Sequence, residues 1–362
     1  MRLLYIIHDS IRHGAIGGAE RVLAEMCRLY PEAKLFTVVS DKSAIDQLGI
    51  RNGVTNSFLQ PLYERIKSFK YLLPLLPLVN YSWKFPENSL VVTSSSLFLK
   101  GMRVPKTSIH ITYSHTPVRF LWSDLSYQSN ESPILLRPFV WIVCAILRRY
   151  DKWASGKPTH FIANSREVNK RIKKYYNRDA QTIEAFVDVE FWHPVADKKD
   201  YFLLGGRMVP YKGFEDVIRT FTRLGLPLKV FGEGRLKSFL QSIASPNIEF
   251  LGKVSDEELR ERYSESKVLI YPQLEDFGLP PLEAAACGTP TIGLRAGGTL
   301  ETVRDGVTGV LVDSIGDLEH TLQSVDSYNF DRDTLREFAK KFDKTIFDQK
   351  IKQVIDEYRN RP

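Results

Sequence analysis

Short apolar runs of strand length alternate with stretches of helical periodicity from the first residues onward. Leu3–Ile7 reads as a buried strand. Ala19–Leu29 reads as a helix, with Val22, Leu23, Met26 and Leu29 recurring at the spacing of one helical face. Lys34–Val39, Ser89–Val92, Ser108–Tyr113 and His160–Ala163 are further strands, the last running into a helix that Asn164 or Ser165 would cap. The pattern starts again at Tyr201–Gly205. Strands follow at Leu228–Phe231, Ile248–Leu251, Val268–Tyr271 and Thr291–Leu294, with helices at Asp216–Leu224, Asp256–Ser264 and Pro281–Cys287. Apolar strands separated by helices imply parallel sheets covered on both faces.

The alternation predicts an α/β protein of two doubly wound, Rossmann-like domains. A chain of 362 residues is too long for one ordinary core and suits two. The first domain is expected over 1–185 and the second over 186–337, joined near Phe186–Lys199, where Asp, Pro and Lys interrupt the apolar rhythm. A last helix is expected over about Arg332–Tyr358, and the stretch 338–362 is a candidate to complete the first domain. Doubly wound sheets bind ligands at the carboxyl ends of their strands. Two such domains facing across a cleft would place the chemistry in strand-to-helix loops.

Composition adds one asymmetry. The net charge of +7 combines 26 Lys/Arg against 13 Asp/Glu in residues 1–180 with 24 against 30 in residues 181–362. The densest stretch, Arg148–Arg178, holds ten basic and two acidic residues. Such a half attracts an anionic membrane surface or an anionic acceptor. No zinc finger, basic zipper or RNA-binding signature accompanies it, which argues against nucleic acid. Tyr71–Trp83, behind Arg65, Lys67 and Lys70, reads either as an interfacial surface or as a buried connection. Phe139–Leu147 reads either as a buried helix or as a membrane contact, and its nine residues fall far short of the roughly 20 needed to cross a bilayer. Cys27, Cys144 and Cys287 are widely spaced and suggest neither a disulfide framework nor a zinc site. The apolar run at the N-terminus is too short for a signal-peptide core. These features suggest a cytoplasmic protein, peripheral on the inner face of the cell membrane.

Two stretches carry the chemistry. Glu275-Asp276-Phe277-Gly278-Leu279-Pro280-Pro281-Leu282-Glu283 follows a strand and opens a helix. Prolines are tolerated in a first turn, where N–H groups lack partners in any case. A helix N-terminus is an anion site suited to phosphate. Glu275 and Glu283 straddle it and would accept hydrogen bonds from sugar hydroxyls. Gly205-Gly206-Arg207-Met208-Val209-Pro210-Tyr211-Lys212-Gly213 follows another strand and puts two cations beside glycines. A guanidinium fork and an ammonium point charge suit a diphosphate.

These stretches resemble the signature of the retaining glycosyltransferases of family 4, which have the GT-B fold. The Glu-x7-Glu element matches Glu275 and Glu283, and the Gly-Arg…Lys-Gly element matches Gly206, Arg207, Lys212 and Gly213. The resemblance extends over most of the chain and is densest over Tyr201–Val312. It implies that Arg207 and Lys212 hold the donor diphosphate, that Glu275 contacts donor-sugar hydroxyls and that Glu283 contacts the ribose. It implies backbone contacts to phosphate or sugar at Phe277, Gly278 and Leu279. It also implies donor contacts at Gly232, and a loop Gly252-Lys253-Val254 that frames the nucleobase. In the first half, Gly17 and Gly18 match a glycine pair that approaches the diphosphate and acceptor. His115, within Tyr113-Ser114-His115-Thr116-Pro117, matches a histidine near the transferred sugar. The surrounding YSHTPVRFLW resembles mannosyltransferases of cell-surface polysaccharide synthesis.

The resemblance implies a retaining transfer of a hexose, with mannose from GDP-mannose as the first expectation, to a lipid-linked or polysaccharide acceptor. A UDP-sugar donor and a non-catalytic nucleotide-sugar-binding protein are the alternatives. His115, Glu275, Arg207 and Lys212 are the expected catalytic set. No cofactor or metal is implied. Asp331-Arg332-Asp333 has a metal-binding form but precedes a helix and reads as an N-cap. A glycoside hydrolase with paired carboxylates would not need a diphosphate cradle.

Overall fold

The computed structural model describes residues 1–14, 16–123 and 137–361. The chain forms two compact units. One contains Met1–Glu184 together with the segment from Asp348 onward, and the other contains Ala185–Phe347.

Among the described residues, the first unit holds a seven-stranded parallel sheet ordered β3-β2-β1-β4-β5-β6-β7. The strands are β1 (Leu4–Ile11), β2 (Lys34–Ser40), β3 (Val54–Asn56), β4 (Leu90–Ser95), β5 (Ile109–Ser114), β6 (His160–Ala163) and β7 (Gln181–Thr182). β1 is buried along all eight residues. It reaches four residues beyond the expected Leu3–Ile7, because His8, Asp9 and Ser10 continue the strand as buried polar positions that apolar patterning does not reveal. The second unit holds a six-stranded parallel sheet ordered β10-β9-β8-β11-β12-β13. Its strands are β8 (Phe202–Gly205), β9 (Leu228–Phe231), β10 (Ile248–Gly252), β11 (Val268–Tyr271), β12 (Thr291–Leu294) and β13 (Gly309–Val312). Helices cover the sheets, and each unit has its own apolar core, around Ile7, Leu72 and Phe98 in the first and Leu204, Phe221 and Ile270 in the second.

In both sheets the strand order reverses in the middle, between β1 and β4 and between β8 and β11. The loops leaving those two strands diverge to opposite faces, and the crevice between them is where doubly wound sheets bind ligands.

The caps follow the sequence. Ser165 accepts from the Val168 N–H at 3.0 Å, and Asp331 from the Thr334 N–H at 2.8 Å. The single helix expected over Arg332–Tyr358 is instead two, Arg332–Lys340 and Lys344–Asn360. Between them the backbone pairs with Val187, whose N–H donates to the Phe342 carbonyl at 2.9 Å and whose carbonyl accepts from the Lys344 N–H at 3.1 Å. Asp343 then accepts from the Thr345 N–H at 3.1 Å and starts the helix anew.

Phe139–Leu147 lies in the helix Arg137–Ala154 and is neither wholly buried nor wholly exposed. Cys144, Leu147, Asp151 and Ala154 face inward, whereas Phe139, Trp141, Ile142, Ile146 and Trp153 are 48–66% exposed. Tyr71–Trp83 divides the same way: Leu72, Leu76, Val79 and Trp83 are buried, and Tyr71, Leu78 and Tyr81 are exposed. Among the described residues, no helix is long and apolar enough to cross a membrane. The orientation of Arg137–Ala154 is testable. Leu147→Ala is expected to cost about 2–4 kcal/mol in urea unfolding through the cavity it leaves. Ile146→Ala, on the outer face, is expected to change stability by no more than about 0.5 kcal/mol. Equal effects would contradict this orientation.

Candidate functional site

In the second unit, β8 ends at Gly205 and the chain passes through Arg207 and a short 3-10 turn, Pro210–Lys212, into the helix Phe214–Leu224. Across the reversal point, β11 leads through Gln273 and Glu275 into the helix Leu279–Ala286. Lys212 spans the two loops. Its ammonium lies 2.8 Å from Glu275 Oε1 and donates to Gln273 Oε1 at 2.6 Å. Gln273, 2% exposed, is itself fixed by donating to the Gly205 carbonyl at 2.7 Å. Arg207 is exposed, with its guanidinium 3.3 Å from the Tyr211 hydroxyl. Residues from two separate sequence motifs are thus one ion pair, with a second cation, Arg207, on the same loop as Lys212. Gln273, which joins them, has no motif of its own.

The loops after β8, β9 and β10 are laced together by backbone. The Gly206 N–H donates to the Phe231 carbonyl at 3.2 Å, Met208 to Glu233 at 2.9 Å and Gly232 to Gly252 at 2.7 Å. Gly232 has φ of 111°, and a Cβ there would sit 2.0 Å from the Gly206 carbonyl oxygen. It is therefore required by the close approach of two backbones. Val254 is half-buried and Lys253 exposed just before the helix Asp256–Glu265, which Ser255 and Glu258 close with a capping box.

The helix Leu279–Ala286 starts at Gly278 with Pro280 and Pro281 in its first turn. Prolines carry no N–H, so the donors at this end are those ahead of them, on Gly278 and Leu279. Phe277 is 4% exposed, and its ring packs edge-on to Phe342. The loop is held by a glycine pair that the sequence reading did not single out, although it follows a strand just as Gly17-Gly18 does. The Gly298 N–H donates to the Glu275 carbonyl at 2.9 Å, and a Cβ on Gly298 would lie 2.3 Å from Phe277. Glu283, one turn into the helix, is 7% exposed, and the buried Tyr263 hydroxyl donates to its Oε2 at 3.3 Å. Burial first, and then the Glu283 charge, push the Tyr263 hydroxyl well above its ordinary pKa, so it remains a donor.

In the first unit, β1 runs into a loop that ends at Gly17 and Gly18, the start of the helix Gly18–Leu29. The Gly17 N–H donates to Glu20 Oε2 at 2.8 Å, so one donor of this loop is engaged within the loop itself. His115, 7% exposed, extends β5 by donating its N–H to the Ser95 carbonyl at 3.1 Å. Its Nε2 is 2.8 Å from Ser94 Oγ, which is 3.1 Å from His8 Nδ1, and His8 Nε2 is 3.8 Å from Glu20 Oε1. Burial, with a smaller effect of His8, lowers the His115 pKa to about 3, so the ring is neutral. Beside it, Asp9 accepts from Ser95 Oγ at 2.8 Å and from the Ser96 N–H at 2.6 Å. Burial raises its pKa against these favourable bonds. Sequence reasoning found His115, Gly17 and Gly18 here but not His8, Ser94 or Glu20. The available signal was the run of polar residues ending an apolar strand. Among the described residues, no group of three or more His, Cys, Asp or Glu side chains could hold a metal ion.

Two doubly wound units with these loops define the GT-B fold of nucleotide-sugar glycosyltransferases. Residues 188–345 match the family model described as glycosyl transferases group 1. An uncharacterized glycosyltransferase of Methanocaldococcus jannaschii is 28% identical over 204 residues, 54% of this chain and 58% of that protein. A GDP-mannose-dependent alpha-mannosyltransferase of Corynebacterium glutamicum is 33% identical over 141 residues, 39% of this chain and 33% of that protein. The chain therefore spans between a third and somewhat over half of the length of these curated relatives. The crystal structure of Anabaena HepE in complex with UDP-glucose superposes with a TM-score of 0.71 at 17% identity, covering 98% of this chain and 100% of that one, and shares the fold.

The laced loops lead to a stability prediction. Gly232→Ala is expected to destabilise the second unit by about 2–4 kcal/mol, from a strained positive φ and a backbone clash. Urea unfolding checks this, and an unchanged midpoint would show that the two backbones are not in close approach.

Proposed function

We propose that this chain is a retaining hexosyltransferase that moves mannose from GDP-mannose to a lipid-linked or polysaccharide acceptor, working as a peripheral protein at an anionic, cytoplasmic membrane face. The observation that carries the reading is the Lys212–Glu275 pair beside Arg207 at the strand-order reversal of the second unit. An ammonium suited to a diphosphate and a carboxylate suited to sugar hydroxyls meet there, with Arg207 on the same loop as Lys212. The relationship to the mannosyltransferase of Corynebacterium glutamicum supports mannose. The fold shared with the UDP-glucose complex of HepE supports a second reading, a glucosyl or N-acetylhexosaminyl donor carried on UDP.

In the proposed reaction the bond from the sugar to phosphate breaks with oxocarbenium character. Charge grows on the departing diphosphate, where Arg207, Lys212 and the N–H groups of Gly278 and Leu279 stabilise it. Glu275 orients the sugar through its hydroxyls, and Glu283 and the Gly252-Lys253-Val254 loop hold the nucleoside. Gly232 keeps the loops of the second unit close. The acceptor hydroxyl attacks from the face the diphosphate leaves, and a phosphate oxygen takes its proton. Glycosidic configuration is then retained without a protein nucleophile.

The outward face of Arg137–Ala154 supports membrane contact. Phe139, Ile142, Ile146 and Trp153 repeat at helical spacing, with Arg149 and Lys152 exposed on the same helix. An apolar row with basic neighbours suits the lipid interface. A concavity of about 560 Å³ lined by Arg166, Asn169, Lys170, Lys173, Lys174 and Thr182 adds positive charge in the same unit.

Thermal unfolding with GDP, UDP, GDP-mannose and UDP-glucose tests the donor. The correct nucleotide at a hundredfold excess over its Kd is expected to stabilise the protein by about 2.7 kcal/mol. Arg207→Ala is expected to lose most of that effect. Stabilisation by UDP alone would favour the second reading, and stabilisation by none of the four would remove the transferase reading. For the membrane, co-sedimentation with phosphatidylglycerol vesicles is expected to fall several-fold between low and high salt, as screening predicts. Ile142→Glu is expected to abolish it. Equal sedimentation by this variant would show that the helix face is not the contact.

A further inference from the structure

A second concavity of the first unit lies at the end of the sheet away from its reversal crevice. That crevice is formed by loops that leave the strands. The concavity, of about 420 Å³, is formed by Tyr81 and by the stretches that enter β5 and β6. In a parallel sheet those entries share one edge, opposite the carboxyl ends. Its walls are tied together. The Arg103 N–H donates to the Asn80 carbonyl at 3.0 Å, and the Thr159 N–H to the His110 carbonyl at 2.7 Å. Asn80 is fully buried, and its Nδ2 donates to the Phe98 carbonyl at 2.9 Å and to the Tyr150 hydroxyl at 2.8 Å. A Cβ on Gly101 would lie 2.8 Å from Asn80 Nδ2 and 2.9 Å from the Tyr150 hydroxyl, so this wall has no slack. The concavity is shaped before any ligand arrives.

Three kinds of group surround it. Arg103, Lys106 and Lys157 are exposed cations. Among the described residues none of the three is in an ion pair, and no Asp or Glu lines the concavity. Glu87, which reaches the same loop, is taken by the Thr107 hydroxyl. The Lys157 ammonium lies 4.3 Å from the centre of the Trp153 ring. Tyr81 and Trp153 are 53% and 48% exposed and offer apolar ring surface. The Thr159 hydroxyl accepts from the His110 N–H at 3.3 Å and keeps its own hydrogen for a further partner. Uncompensated cations attract an anion, and aromatic side chains favour a ligand with one apolar face and one polar side. An acidic sugar has the charge, the C–H face and the hydroxyls. Single-stranded nucleic acid is held along a groove of several nucleotides, whereas these groups ring one hollow. We propose that the concavity is a second binding site, for an acidic sugar unit of a glycan, with its carboxylate or phosphate among Arg103, Lys106 and Lys157 and its ring against Tyr81 and Trp153. No residue of the donor site proposed above takes part, so the inference stands apart from that reading. Trp153 also ends the outward apolar row of the helix Arg137–Ala154, which makes lipid the occupant to be distinguished.

Titration calorimetry with tetragalacturonate and with glucose 6-phosphate tests the site, the two carrying their charge as carboxylate and as phosphate. At least one is expected to bind, and uncharged maltotetraose to bind about tenfold more weakly or worse. Arg103→Gln and Lys106→Gln are each expected to weaken the acidic sugar by about tenfold. Both positions are exposed, so the thermal unfolding midpoint is expected to stay at its wild-type value. Trp153→Ala is expected to weaken binding as well. Binding of neither acidic sugar overturns the proposal, and so does equal binding of maltotetraose. Wild-type affinity in both charge variants places the binding elsewhere and overturns it too. The proposal also fails if acidic sugars do not bind while the charge variants lose binding of oligothymidylate or of phosphatidylglycerol vesicles, because the concavity then belongs to nucleic acid or to lipid.

Discussion

Lys212 meets Glu275 because the strand order of the second sheet reverses between β8 and β11. Those neighbours send their loops to opposite faces, so a side chain from each can reach the crevice between them. The 2.8 Å pair is the consequence. Everything else in that loop cluster serves the same geometry. Gln273 ties Lys212 to the end of β8. Gly298 lets a further loop lie against Phe277, and Gly232 lets the loops after β8 and β9 touch backbone to backbone. Larger residues at these glycines would push apart the loops that position the charged groups.

The first sheet repeats the rule with different chemistry. Its reversal lies between β1 and β4, and the residues collected there are His8, Ser94 and, from the next strand, His115. Where the second unit gathers formal charges that are half-buried, the first gathers rings and hydroxyls that are buried. The difference follows from solvation. An ammonium and a carboxylate with 12% and 22% exposure keep some water, whereas groups with almost none must be satisfied by one another.

The fold was largely legible because apolar strands separated by helices leave few alternatives. His160–Ala163, Leu228–Phe231, Val268–Tyr271 and Thr291–Leu294 are read to the residue. Patterning lost its grip where polarity and burial part company. β1 continues through His8, Asp9 and Ser10 because the end of a parallel strand can be buried and polar at once. Nor could patterning show the break at Phe342–Lys344, which is made by backbone pairing to a residue more than 150 positions away, Val187. In the site, motif residues were visible as types at set spacings. Their connectors were not: Gln273 and Ser94 matter for where they stand, and nothing in their local sequence says so. Phe277 shows the converse, since a residue singled out for its place in a motif buries its ring against Phe342.

The Lys212–Glu275 pair also constrains how a donor would be held on the proposed reading. One carboxylate occupies the ammonium, and a diphosphate brings two negative charges to the same ammonium and to Arg207. Partial exposure keeps the desolvation cost of exchanging one anion for the other moderate. Once displaced from Lys212, the partly buried Glu275 gains from donors that replace the ammonium, because burying a carboxylate with fewer hydrogen bonds is costly. Sugar hydroxyls are the donors that would satisfy it. A free diphosphate would engage Lys212 in place of Glu275, whereas a nucleotide sugar would engage both. The pair thus couples recognition of the phosphates to recognition of the sugar, and favours the intact donor over the nucleotide that remains when the sugar has gone.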